Sequence, residues 1–397
     1  MKHIKILFVL AGMLCISEWF CLTGILQDGQ CQSVNKAQIT VTDGTGRPLA
    51  VHLPVERIIV EYMDNAELVR ILKREDKVVA LAGYDYIFHD CLRQFPKFRL
   101  LPSVGYPWSL DYEAVLATKS DLLLTFTSQN QEKRMNLPGI DILFLGLYHP
   151  DLSQPERSRY VRGIRNLAQI LAAEDTAEDF ISWYKGVLNN IAERTKALRS
   201  DEKPKVLISS YPLCNASGSR YCAYGPDDTL TQASRLAGGR NLIDLLPYDK
   251  GVSVPIDPEW LIRENPDFIL LHAVDDIRAS GYETDDASYL KQGVAQFAGA
   301  PELASVNAVK KGHIYVLDGH FRNDASGGAL AAAYLAALFH PALFRDLDPE
   351  AVHQAYLEMQ QLDYNLDAHG IFFYPPLKNK TGLAGIPDRY IEQGFFK

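Results

Sequence analysis

Apolar positions recur along the chain at two spacings, two residues and three to four. Residues 38–42 and 49–53 alternate apolar with polar on either side of Asp43-Gly-Thr-Gly, the pattern of a hairpin around a Gly-rich turn. Short apolar runs at 57–60, 77–82 and 141–145 predict buried strands. Between the first two, 63–74 has helical spacing, with Asp64 or Asn65 as its cap. Strands alternating with helices in this way predict parallel α/β units. Two helical stretches follow, at 157–173 and 176–198. In the second, Ala177, Phe180, Ile181, Tyr184, Val187, Leu188, Ile191 and Leu198 recur at helical spacing. At 1.5 Å per residue that helix would span about 35 Å, the length of a lobe. A charged break at 201–205 closes it. A second α/β series then begins at Val206 and runs through 312–317 to an Ala-rich helix at 329–339.

One unit occurs twice. Asp111, Glu113 and Asp121 fall against Asp257, Glu259 and Asp267 at a constant offset of 146 residues. Leu110, Val115, Leu116, Leu122 and Leu123 fall against Ile256, Leu261, Ile262, Phe268 and Ile269 in the same register. Each copy predicts a short helix capped by Asp, a turn and a buried strand. Pro258 suits the first helical position, where its missing N–H would have had no partner. Two copies of one unit predict two related lobes.

Composition narrows the choices. A chain of 397 residues, 47% hydrophobic, favours at least two domains. A net charge of −9 argues against a nucleic-acid surface, which needs clustered Lys and Arg. Lys2, His3 and Lys5 precede an apolar run at 6–26 broken by Ser17, Glu18 and Thr23, so residues 1–30 predict an export signal or a retained anchor. Glu18 weighs against a membrane-spanning helix, and Cys15 and Cys21 lack the small residue before them that a lipoprotein site needs. Export would place the protein in the periplasm or on the outer face of the cytoplasmic membrane. Cys214 and Cys222 flank a turn-rich segment; in an oxidising compartment they form a disulfide, otherwise two free thiols.

Several phrases then fall in a consistent order: Val41-Thr-Asp-Gly-Thr-Gly-Arg-Pro, Leu101-Pro-Ser-Val-Gly, Ser120-Asp-Leu-Leu-Leu, Leu236-Ala-Gly-Gly-Arg-Asn, Asn265-Pro-Asp-Phe-Ile-Leu and Ala308-Val-Lys-Lys-Gly-His-Ile-Tyr-Val. Together, over residues 38 to about 345, they resemble the substrate-binding proteins of ABC importers for ferric siderophores, haem and corrinoids. The resemblance implies an α/β fold of two Rossmann-like lobes joined by a single long α-helix, with the ligand cleft between the lobes. The lobes would occupy 38–152 and 201–375, with the helical connector at 153–200 and a C-terminal extension at 376–397. The implied function is capture of an iron chelate of the siderophore type for an ABC permease and its ATPase, with haem or cobalamin as the alternative cargo. No catalytic cofactor is implied. The resemblance also gives Glu113 and Glu259 the role of docking on permease arginines, a contact suited to bidentate carboxylate–guanidinium pairing. The plainer role for both is to complement a helix start, worth about 0.3–1 kcal/mol.

Ligands of open α/β sheets bind beyond the carboxyl ends of the strands. The loops expected there carry Asn65, Tyr84, Tyr86, Tyr106, Trp108 and Tyr148 in the first lobe, and Tyr211, Arg220, Tyr224, His272, His320 and Arg322 in the second. The aromatics suit stacking on a catecholate, porphyrin or corrin, and Arg220 and Arg322 suit an anionic chelate. His89, His149, His272 and His320 lack the spacing of a metal motif, which leaves any direct metal ligand unknown. An enzyme is the rival class, but the chain has no Gly-x-Ser-x-Gly, His-Glu-x-x-His, Walker or Cys-x-x-Cys motif.

Overall fold

Four parallel strands form the first sheet, in the order Val78–Ala82, Ile58–Glu61, Leu122–Thr125, Asp141–Phe144. Ile58–Glu61 and Leu122–Thr125 are buried at every position, as continuous apolar runs in a parallel sheet covered on both faces should be. The computed structural model describes residues 37–83, 93–148, 150–212, 220–248, 251–273, 279–378 and 382–392. A second sheet takes the order Arg240–Asn241, Lys205–Tyr211, Phe268–Ala273, Ile314–Leu317, Phe373–Tyr374, the last strand antiparallel at the edge. The N-terminal hairpin pairs Gln38–Thr42 with Pro48–His52.

Two helices lead from one sheet to the other. Arg159–Leu171 ends where Ala172 turns left-handed at φ 49, and Glu174–Thr195 then runs for 22 residues, about 33 Å. The long helix buries Ala177, Phe180, Ile181, Tyr184, Leu188 and Ile191 of the predicted face; Val187 is half-buried, and the helix ends at Thr195, short of Leu198. Tyr160 meets Tyr184 edge to face at 5.1 Å, and Trp183 stacks on Tyr356 at 5.9 Å, so the long helix packs both on the helix before it and on a residue from much later in the chain.

The repeated unit is a repeated structure. Tyr112–Ala117 and Pro258–Glu264 are both short helices with Asp at the cap position. Asp121 Oδ2 accepts from the Glu56 and Arg57 amides at 2.9 and 3.0 Å; Asp267 Oδ2 accepts from the Lys205 amide at 2.9 Å. Each aspartate thus ties the start of its strand to the neighbouring strand of its own sheet, and Ile58 pairs with Leu122 as Val206 pairs with Phe268. The capping differs from expectation in one copy. Asp111 accepts from the Ala114 amide at 3.0 Å, whereas the Asp257 side chain makes no cap bond, and Pro258 has already removed one donor there.

The helix predicted at 63–74 is Tyr62–Ile71, and neither Asp64 nor Asn65 caps it. Tyr62 takes φ 67 and turns the chain from strand straight into helix, so Glu61 becomes the cap residue and Asp64 and Asn65 are buried in the first turn. Beyond the second sheet, Pro349–Met359 is capped by Asp348, which accepts from the Glu350 and Ala351 amides. This helix reaches the first lobe: Tyr356 donates to Glu67 at 2.5 Å, and Gln360, just past its end, accepts from Arg70 Nε at 2.6 Å. The chain past Tyr374 adds the strand pair Leu377–Lys378 and Leu383–Ala384 and the short helix Arg389–Glu392. Among the described residues no helix is long and apolar enough to cross a membrane; residues 1–36 lie outside them.

Candidate functional site

The strands of the first sheet end at Glu61, Thr125 and Phe144, and a cavity of about 740 Å³ opens beyond them, in the position open α/β sheets reserve for ligands. Asp64, Asn65, Trp108, Phe126, Lys133 and Tyr148 contribute to its wall, and exposed Arg159 lies on it as well. One side is aromatic. Tyr62 stacks on Phe126 at 4.2 Å, and Phe126 meets Tyr148 edge to face at 6.1 Å. Trp108 lies between the paired strands Gly105–Tyr106 and Ser109–Leu110 and is 68% exposed, a large apolar surface with nothing yet to cover it.

A buried ion pair supports the floor. Lys133 Nζ lies 2.6 and 2.8 Å from the Glu61 carboxylate oxygens and donates to Thr125 Oγ1 at 2.9 Å. The Phe126 amide also donates to Glu61, at 2.9 Å. Burial raises the Glu61 carboxyl while Lys133 pulls it down. Asp64 is also buried, and among the described residues it makes no ion pair. Burial first, then repulsion from Glu67, Asp324 and Glu61, pushes its carboxyl up to about 8 against the single opposing Asn65 amide.

Behind Tyr148 the second lobe supplies a connected set. Arg322 donates to Asp228 Oδ2 at 2.6 Å and to the Tyr148 hydroxyl at 2.7 Å. Its guanidinium lies over the Tyr224 ring at 4.9 Å, and the Tyr224 hydroxyl is 3.0 Å from His272 Nδ1. Burial, aided by Arg322, pushes His272 down to about 3, so the ring is neutral.

Of the residues expected at the cleft, Asn65, Trp108 and Tyr148 line the cavity, and Arg322, Tyr224 and His272 form the chain behind Tyr148. Tyr106 sits on the same hairpin as Trp108 but is not part of the cavity wall. Tyr211 is buried against Tyr289, at 5.0 Å. Arg220 pairs with Glu302 at 2.6 Å. His320 is buried between Asp318 at 2.5 Å and Gln94 at 3.0 Å; burial opposes its charge, but the Asp318 carboxylate holds it up at about 9. Cys222 is disulfide-bonded, and Cys214, its expected partner, lies outside the described residues with Tyr84 and Tyr86. Among the described residues no group of three His, Cys, Asp or Glu side chains is arranged to hold a metal ion. Glu113 and Glu259 are exposed in the first turns of their helices, and among the described residues neither makes an ion pair.

Sequence reasoning missed Glu61, Lys133 and Asp228. A charged residue directly after Ile-Ile-Val was the one available signal, because a carboxylate at a buried strand end needs a partner.

Residues 58–320 match the family described as periplasmic binding protein. An uncharacterised ABC transporter substrate-binding lipoprotein of Bacillus subtilis, YvrC, is 21% identical over 286 residues, covering 70% of this chain and 78% of that protein. The TroA-like periplasmic binding protein FepB of Veillonella parvula superposes with a TM-score of 0.67 at 19% identity, covering 84% of this chain and 99% of that one. The molybdate periplasmic binding protein MolA of Haemophilus influenzae, solved with molybdate, gives 0.63 at 15% identity over 82% and 99%. At these identities the structural likenesses establish the two-lobed fold alone.

Proposed function

The chain belongs to the periplasmic binding protein family, and from that premise we propose that it captures a metal chelate of the siderophore type and hands it to an ABC permease. Membership of a family of binding proteins sets the enzyme alternative aside and puts the protein on the outer side of the cytoplasmic membrane. The observation that carries the ligand reading is the cavity itself. Its volume of about 740 Å³ falls in the range of small-molecule sites, and Trp108, Phe126 and Tyr148 put aromatic surface on its wall that suits a planar or aromatic chelator. The name of YvrC supports the ABC partner, and Glu113 and Glu259, exposed one on each lobe, supply the docking charges.

Protein purified from its native host should carry the ligand. Its absorbance and mass spectra distinguish an iron chelate, with charge-transfer bands, from haem or a corrinoid. Titration of the stripped protein with ferric trihydroxamate, ferric catecholate, haem, cobalamin and molybdate, followed by indole fluorescence, ranks the candidates. Tightest binding of molybdate, the ligand in the MolA structure, would overturn the chelate reading.

A further inference from the structure

Two of the charged side chains that line the cavity are buried, and only Lys133 has its counter-ion, Glu61. Asp64 is 3% exposed, accepts one hydrogen bond, from the Asn65 amide at 2.7 Å, and makes no ion pair among the described residues. Among the described residues, the charged and titratable groups that act on it most strongly, or that it acts on, are acidic or phenolic. Glu61 closes the preceding strand, Glu67 lies on the same helix, Asp324 comes from the second lobe, and Tyr148 stands on the cavity wall. Arg322, the nearest cation behind Tyr148, is compensated by Asp228 at 2.6 Å. Arg159, the other cation on the cavity wall, is exposed, so among the described residues no cation of the protein is paired with Asp64, which shares the cavity with the aromatic rings of Phe126 and Tyr148.

We propose that Asp64 recognises a protonated nitrogen on the ligand, a primary ammonium or an amidinium, seated between the carboxylate and the aromatic wall. The inference rests on reading the cavity as the ligand site and adds a charge requirement to it. Pairing requires the carboxylate to be ionised, so Asp64 releases a proton to solvent as the cation enters. A carboxyl held at about 8 makes that exchange visible in an accessible pH range.

Benzylammonium and its neutral isostere benzyl alcohol test the charge requirement without knowledge of the natural ligand. Each is titrated into the full chain at pH 6.5 and 8.5, followed by indole fluorescence. At pH 8.5 the cation should bind about tenfold more tightly than the alcohol, the worth of one charged hydrogen bond. The preference should shrink at pH 6.5 and vanish in Asp64→Asn, whose folding is checked by its melting temperature. Equal affinities in the wild type, or a preference that survives in Asp64→Asn, would overturn the assignment. A linear ferric trihydroxamate ending in an ammonium, set against its N-acetylated form, separates the two readings. Tighter binding of the ammonium form extends the assignment to a chelate. Binding of neither chelate, with the benzylammonium preference intact, removes the chelate reading and leaves Asp64 as a cation site.

Discussion

Arg322 donates to the hydroxyl of Tyr148 at 2.7 Å across 174 residues of sequence, and the bond joins the second lobe to the cavity wall of the first. Asp228, not Tyr148, balances the charge. Tyr148→Phe should therefore lower stability by about 1.5 kcal/mol, the lower end for one hydrogen bond to a charged group. Asp228→Asn leaves a buried guanidinium uncompensated and should cost about 3–5 kcal/mol. Denaturant unfolding measures both; similar losses for the two variants would mean that Arg322 finds its counter-charge elsewhere.

The Glu61–Lys133 pair should behave in the same way. Lys133→Met strands a buried carboxylate and should cost about 3–5 kcal/mol, whereas Glu61→Gln with Lys133→Met should recover most of that loss. A double variant no more stable than the single one would show that the pair acts through more than charge balance.

Asp64 carries a pH signature in the ligand-free protein. Its ordinary value is 3.8 and the fold raises it to about 8, so between these limits the folded state holds a proton that the unfolded chain has released. Stability contributed by this group falls as pH rises through that window. Asp64→Asn cannot ionise, so its melting temperature should exceed that of the wild type by a margin that widens from pH 5 to pH 8. In a chain of 397 residues each kcal/mol should appear as about 1 °C. A margin independent of pH would place the titration elsewhere.

Replacing Glu113 and Glu259 together by Gln should leave folding and ligand affinity near wild type, since both are exposed and neither lines the cavity. Binding to the permease in nanodiscs should fall sharply, and Lys at both positions should be worse, because it sets like charges against the permease arginines. Unchanged docking of the Gln variant would leave helix-start complementation as the role of both residues.

Peptide mapping without reduction should link the peptide containing Cys222 to the one containing Cys214. Cys222 is disulfide-bonded, and Cys214 is the cysteine nearest to it in sequence. Separate alkylation of both would end that pairing.

The two-lobed α/β architecture was legible because burial leaves a local mark. A buried strand reads as Ile-Ile-Val or Leu-Leu-Leu and the long helix as a stripe, whatever lies opposite. The repeat at offset 146 was legible for a further reason. Asp121 and Asp267 do the same work in their sheets, each tying its strand to the start of the neighbouring one, so each sheet demands the same residue type at the same place. The rule that ligands gather beyond strand ends, which the element order carries, pointed to the loops of Trp108 and Tyr148, and both line the cavity there.

Which charges those loops leave free is a different kind of fact. Arg322 looked in sequence like an anion hook, but folding brings Asp228 from 94 residues away and neutralises it. Asp64 looked like a helix cap, but the left-handed turn at Tyr62 starts the helix early and carries the carboxyl into the interior. The amino-acid sequence by itself determined the elements, their order and the two-lobed plan, because each depends on contacts that a residue makes or avoids through its own neighbours. Only the tertiary structure decided that Lys133 and Arg322 are compensated while Asp64 is not. The balance of buried charge depends on distances between segments far apart in the chain, and no local pattern encodes them.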